Sequence, residues 1–179
     1  MKGIVFREFG ELVIARFGAA TADALITESK VPSGGAYTAV GTYPHEEAIA
    51  LLMALSRRTG VSPDDLLKVF GEHLFGVLSR RYPFAVAGHD DLFPFLESLD
   101  GVVHVEVRKL YPDAELPSFV TRWEGDAFML EYRSQRPFAS LAEGLLRGAI
   151  AHWGGRYSLA RRALSGDGAR EAIFELRRT

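Results

Sequence analysis

Apolar residues recur with a period near 3.6 through the first half of the chain and with a period near two through much of the last third. Between residues 2 and 17 they fall at Ile4, Val5, Phe9, Leu12, Val13 and Phe17, with Gly18 closing the run, which predicts an amphipathic helix. Residues 20–29 predict a second short helix, and Pro32-Ser33-Gly34-Gly35 a loop. A third helix is expected over residues 45–58 and stops at Gly60. Glu46 and Glu47 in its first turn and Arg57 and Arg58 in its last suit the helix dipole, and both pairs read as solvated ends. Ser62-Pro63-Asp64-Asp65 places a capping serine, a proline and two acids in the order that starts a helix. That fourth helix carries Leu66, Leu67, Phe70, Leu74, Val77 and Leu78 and ends at Tyr82-Pro83. Another begins near Asp90 or Asp91 and carries Leu92, Phe93, Phe95, Leu96 and Leu99. Val103-His104-Val105-Glu106-Val107 then alternates and is β-branched, so by local pattern it reads as a strand.

The last third predicts two hairpins. Residues 119–123 and 128–136 flank Glu124-Gly125-Asp126, and residues 156–164 and 169–177 flank Ser165-Gly166-Asp167-Gly168. A helix over residues 140–153, ended by Gly154-Gly155, separates them. The expected fold class is α+β: an N-terminal helical subdomain followed by a four-stranded antiparallel sheet of two hairpins with an intervening helix. On a strand, Tyr132, Ser134 and Arg136 continue the face of Phe128 and Leu130. That face offers two hydroxyls and a guanidinium, a set that grips carboxylates or phosphates.

Composition narrows the chemistry. The chain has 179 residues, 47% of them hydrophobic, enough for one domain with a sizeable core. A net charge of −2 gives no sign of nucleic-acid binding. No apolar run approaches the ~20 residues that span a bilayer. Charge appears too early at the N-terminus for a secretory signal, so the cytoplasm is the default expectation. The absence of cysteine excludes disulfides, thiolate ligation, iron–sulfur clusters and cysteine-based zinc sites. The five histidines are His45, His73, His89, His104 and His152, and no two are four residues apart, which argues against a protein-only metal cage. A lone histidine ligand with an anion grip 28 residues later suits a metal-bearing cofactor with acidic side arms, of which haem is the commonest example.

The residues in that stretch carry a resemblance. Met1-Lys2-Gly3, Ala36-Tyr37-Thr38, Gly41-Thr42-Tyr43-Pro44, the run from Leu99 through Val107, Lys109-Leu110-Tyr111-Pro112, Tyr132/Ser134/Arg136 and Leu141-Ala142-Glu143-Gly144-Leu145 together make the chain similar to the haem nitric oxide/oxygen-binding (H-NOX, or HNOB) domain family. The resemblance implies a single domain over residues 1–179 without an output domain, with haem b (iron protoporphyrin IX) between the subdomains. It implies His104 as the iron ligand, carried on a helix over residues 102–110 in spite of local propensity. Tyr132, Ser134 and Arg136 would hold the propionates, and Pro117 would press on the porphyrin. By the same alignment the distal positions are Val5, Phe9, Leu74, Leu78, Leu141 and Leu145. None of these side chains donates a hydrogen bond. Relatives that hold O₂ place a tyrosine where Leu141 stands, so the expected ligands are nitric oxide and CO, with little O₂. The implied role is a non-enzymatic sensor that signals in trans to a histidine kinase or a cyclic-di-GMP enzyme, without nucleic acid or membrane.

Two other functions compete. A degenerate member that binds no haem and serves as an interaction or small-ligand module is disfavoured by the intact His104 and triad. A haem peroxidase is disfavoured because no distal acid–base pair is present. His73 is expected at the surface, His45, His89 and His152 as structural or exposed residues, and Phe6, Phe9, Phe70 and Phe75 as packing.

Overall fold

The computed structural model describes residues 1–179, which form two compact units, Met1–Phe70 and Gly71–Thr179. It is α+β, with helices followed by a four-stranded antiparallel sheet. No helix is long and apolar enough to cross a membrane.

The first unit holds α1 (Gly3–Phe17), α2 (Ala19–Ser29), α3 (His45–Thr59) and the start of α4 (Pro63–Arg81). Its core is built from Ile4, Phe6, Phe9 and Val13 of α1, Leu25 of α2, and Leu51, Leu52 and Leu55 of α3. Phe17 belongs to the expected apolar stripe but is 39% exposed, because the stripe outruns the surface it packs on. The N-terminus is tied down by the 39–43 loop: Gly3 N–H donates to Gly41 O and Ile4 N–H to Ala39 O, at 2.8 and 3.1 Å. Gly3 is obligatory there, since a Cβ would meet Thr38 O at 1.9 Å. Ser62 caps α4 as expected, its Oγ accepting from the Asp65 amide at 3.1 Å.

Glu47 is not a solvated helix end. It is 4% exposed, and its Oε2 accepts from Ser33 Oγ at 2.5 Å and Tyr37 Oη at 2.7 Å. Tyr37 in turn stacks on Phe6 with ring centroids 4.4 Å apart. The carboxylate therefore fastens the 31–44 loop to α3, a demand of tertiary packing that overrides its place in a first turn.

In the second unit, α4 continues to Arg81, followed by a short 3₁₀ turn (Pro83–Ala85) and α5 (Leu92–Ser98). A π-helical turn (Leu99–Val103) runs into α6 (His104–Leu110), where the local pattern alone reads as a strand. The His104 amide donates to Leu99 O, five residues back. Then come β1 (Ser118–Glu124), β2 (Ala127–Arg133), α7 (Ala139–His152), β3 (Tyr157–Ala163) and β4 (Glu171–Arg178).

The sheet order is β1-β2-β4-β3, every pair antiparallel, so the two hairpins join through their central strands β2 and β4. Phe128, Leu130 and Tyr132 lie opposite Leu176, Phe174 and Ala172 and are all buried. The small residues Ala139, Ala142 and Ala149, with Leu146, let α7 lie close over this face as part of one core cluster. The opposite face carries charge pairs, including Arg133 with Glu171 directly across from it, at 3.0 Å. Gly71 of α4 and α7 approach backbone to backbone: a Cβ on Gly71 would meet Leu141 O at 2.4 Å and both Gly144 Cα and Leu145 N at 2.7 Å.

Candidate functional site

Two of the expected site features lie in the second unit, on α6 and at the end of β2. The π-helical turn brings Asp100 under the histidine ring. His104 is 8% exposed, and its Nδ1 lies 2.8 Å from Asp100 Oδ1. The other carboxylate oxygen of Asp100 accepts from the Phe119 amide at 2.8 Å, tying the start of this segment to the start of β1. Burial pushes the His104 pKa down, and the Asp100 charge opposes that shift only in part, while Arg108 reinforces it. The neutral ring is thereby favoured. With the Nδ1 hydrogen pointed at a carboxylate, the lone pair resides on Nε2, the form that ligates a metal.

The sequence pattern alone gives Asp100 no role. Its signal was present, an acid four residues before the histidine, but that spacing meets the ring only if the stretch is helical. Phe119 likewise carries no sequence signal of a site role. Its ring lies 5.6 Å from that of His104 and 5.8 Å from that of Tyr132, so one aromatic side chain bridges the two halves of the candidate site.

The triad is not one strand face. β2 stops at Arg133, and of the three only Tyr132 lies in it. Ser134 N–H still donates to Arg170 O at 2.9 Å, but its Oγ accepts from the Arg136 amide at 3.1 Å. The Phe138 amide then donates to Arg136 O at 2.9 Å across Pro137, a tight turn that leads into α7. Pro137 has no N–H for a ladder, and the serine hydroxyl offers the backbone an alternative partner, so the strand ends early. The three side chains still come together. The Tyr132 hydroxyl is hydrogen-bonded to Ser134, and Tyr132 is raised in pKa mainly by burial, with Ser134, Arg161 and Arg136 pulling the other way.

Arg136 holds a carboxylate in this structure. Its Nη2 pairs with the Glu115 side chain and its Nη1 donates to the Glu115 backbone carbonyl at 3.2 Å. An acid side arm presents the same chemical group, so the residues of this site fit a cofactor that carries one. Pro117 is half-buried just ahead of β1.

The remaining expected site residues distribute as follows. On α1, Val5 is half-buried and Phe9 is buried against the Phe70 ring at 5.4 Å. On α4, Leu74 is buried and Leu78 half-buried. On α7, Leu141 and Leu145 are half-buried. His73 is half-buried rather than superficial, and its Nε2 is out of reach of solvent. Phe6, Phe9, Phe70 and Phe75 are buried. No group of three or more His, Asp and Glu side chains is arranged to hold a metal ion.

Comparison with known proteins bears on the family and the fold. Among curated proteins, none matches the chain. The unliganded Fe(II) H-NOX protein from K. algicida is 38% identical, with a TM-score of 0.93, over 100% of this chain and 97% of that one. The H-NOX from Shewanella woodyi, solved with IWP-051 in the Fe(II)CO state, is 37% identical with a TM-score of 0.84, covering 100% and 95%. An H-NOX protein from S. oneidensis in the Fe(II)NO state is 26% identical with a TM-score of 0.89, covering 100% and 99%. The family model for haem-NO-binding domains matches residues 2–159, and the chain belongs to that family.

Proposed function

We propose that this chain is a haem-based gas sensor that binds nitric oxide at ferrous iron, holds haem b through His104, and passes its signal in trans to a partner enzyme. The observation that carries the reading is the buried His104, whose Nδ1 lies 2.8 Å from Asp100 Oδ1, an arrangement that favours Nε2 as the metal-binding nitrogen. Haem held by His104 and the Tyr132, Ser134 and Arg136 side chains would supply an iron able to bind a gas.

The chain's own residues do the rest. Asp100 orients the imidazole and holds its tautomer. Arg136 offers a fixed fork to a carboxylate, and the Tyr132 and Ser134 hydroxyls add donors beside it. Leu141 and Leu145 of α7 and Leu74 and Leu78 of α4 contribute apolar side chains without a hydrogen-bond donor. Such walls favour NO and CO, which need no donor, over O₂, which gains from one. A histidine kinase or a cyclic-di-GMP enzyme suits the role of partner.

Absorption spectra of the ferrous protein alone, under NO, under CO and in air test this. We expect a strong Soret band that shifts with NO and with CO, and no stable oxygen complex in air. A protein still colourless after haem supplementation would overturn the haem reading. A stable oxygen complex would overturn the ligand preference.

A further inference from the structure

We propose that Glu115 is an internal occupant of the anion site at Arg136, which a cofactor carboxylate displaces, so that the Glu115 side chain gates haem loading. The proposal rests on the haem reading above and concerns how the site fills.

The Arg136–Glu115 pair is one-sided. The guanidinium side chain is 16% exposed, whereas Glu115 is 73% exposed. In the Arg161–Glu143 pair both partners are sheltered, and in the Arg122–Glu124 pair both are largely open. A sheltered cation needs an anion, because leaving it unpaired is costly. An exposed glutamate is the easiest anion to lose, since water solvates it well and an ion pair open to solvent contributes little. The geometry therefore keeps the cation in place and makes the anion exchangeable.

The two bonds to Glu115 differ in kind. Nη1 donates to the backbone carbonyl, and Nη2 pairs with the side-chain carboxylate. An incoming carboxylate competes only for the second. The loop then stays attached through its carbonyl while the Glu115 side chain swings into water. The backbone amide of Arg136 is held by Ser134 Oγ, so the backbone that carries the guanidinium is anchored apart from the Glu115 pair. The loop begins where α6 ends at Leu110 and leads into β1, so the exchange acts on the segment that follows His104.

Glu115→Gln keeps the shape and removes the charge; Glu115→Ala removes the carboxylate altogether. Haem-free protein of each form is titrated with haem, and haem loss is followed by transfer to apomyoglobin. Both variants should bind haem about two- to fivefold more tightly than the parent, chiefly through faster uptake, the range expected for losing one exposed competing ion pair. The gap should narrow as salt is raised. Amide exchange of residues 113–116 gives a second readout. Glu115→Ala should speed it in haem-free protein and leave it unchanged in loaded protein. Equal or weaker haem binding by the variants would overturn the gate while leaving the sensor reading intact. Failure of the parent to bind haem at all would instead overturn the sensor reading.

Discussion

Asp100 shows how much one residue decides. Its two oxygens serve two masters, the His104 ring and the Phe119 amide. Replacing it by alanine frees the imidazole to rotate and change tautomer, and leaves the amide without its acceptor. Metal sites that lose such an orienting partner typically lose roughly 10–100-fold in affinity. We expect Asp100→Ala to release haem faster by a factor in that range, read by haem transfer to apomyoglobin. Tyr37 gives a pH effect at the same scale. Burial, with the Glu47 carboxylate adding to it, pushes its pKa from 10.0 up to about 12. The folded state thus holds the phenol proton more tightly than the unfolded chain does. The stability this contributes is fully present below pH 10 and is lost as the pH rises toward 12. Tyr132 and Tyr157, also raised, act in the same direction. Tyr37→Phe should flatten part of the alkaline loss in urea melts and cost roughly 1–3 kcal/mol near neutrality, where Glu47 loses a donor.

Elements meet in this fold through small residues, and glycines at two positions test that. A Cβ on Gly71 would fall within 3 Å of three backbone atoms of α7, none of which can swing aside. Alanine's gain in helix propensity, about 1 kcal/mol, is then outweighed by overpacking of about 1–3 kcal/mol. At Gly10 of α1 an added methyl meets nothing within 4 Å, so only the propensity gain remains. We expect Gly71→Ala to lower the urea midpoint and Gly10→Ala to raise it. Helix α6 is the element whose kind the local pattern misread. Its alternating valines suit a strand, and the π-helical turn with the Asp100 bond supplies what propensity lacks. At β2 the reverse holds: strand periodicity runs three residues past Arg133, where the strand ends. The turn at Pro137 ends the ladder there.

The whole molecule has a stability that depends on its proposed cofactor. A ligand that binds only the folded state at a hundred times its Kd adds ~2.7 kcal/mol. For a chain of this length that corresponds to a rise of roughly 5–10 °C in Tm. Calorimetry of haem-free and haem-loaded protein should show it, and His104→Ala should abolish most of the shift. An unchanged Tm despite stoichiometric haem uptake would mean that the unfolded chain binds haem as well.

The order and type of most elements were legible in the sequence. Periodicity, Ser62, Gly18, Gly60 and the Gly-rich turns act over a few residues, so they leave a local signature that survives without the fold. His104, Tyr132, Ser134 and Arg136 stand out as candidates through the motif they form. What only tertiary structure decided were the partners: Asp100 beneath His104, Phe119 between ring and triad, Glu115 on Arg136, Glu47 beneath Tyr37, and the joining of β2 to β4. Each depends on segments distant in the chain, or on a backbone state that local propensity disfavours. Propensity is worth a few tenths to about one kcal/mol per residue, and packing and buried polar pairing outweigh it once the chain is folded.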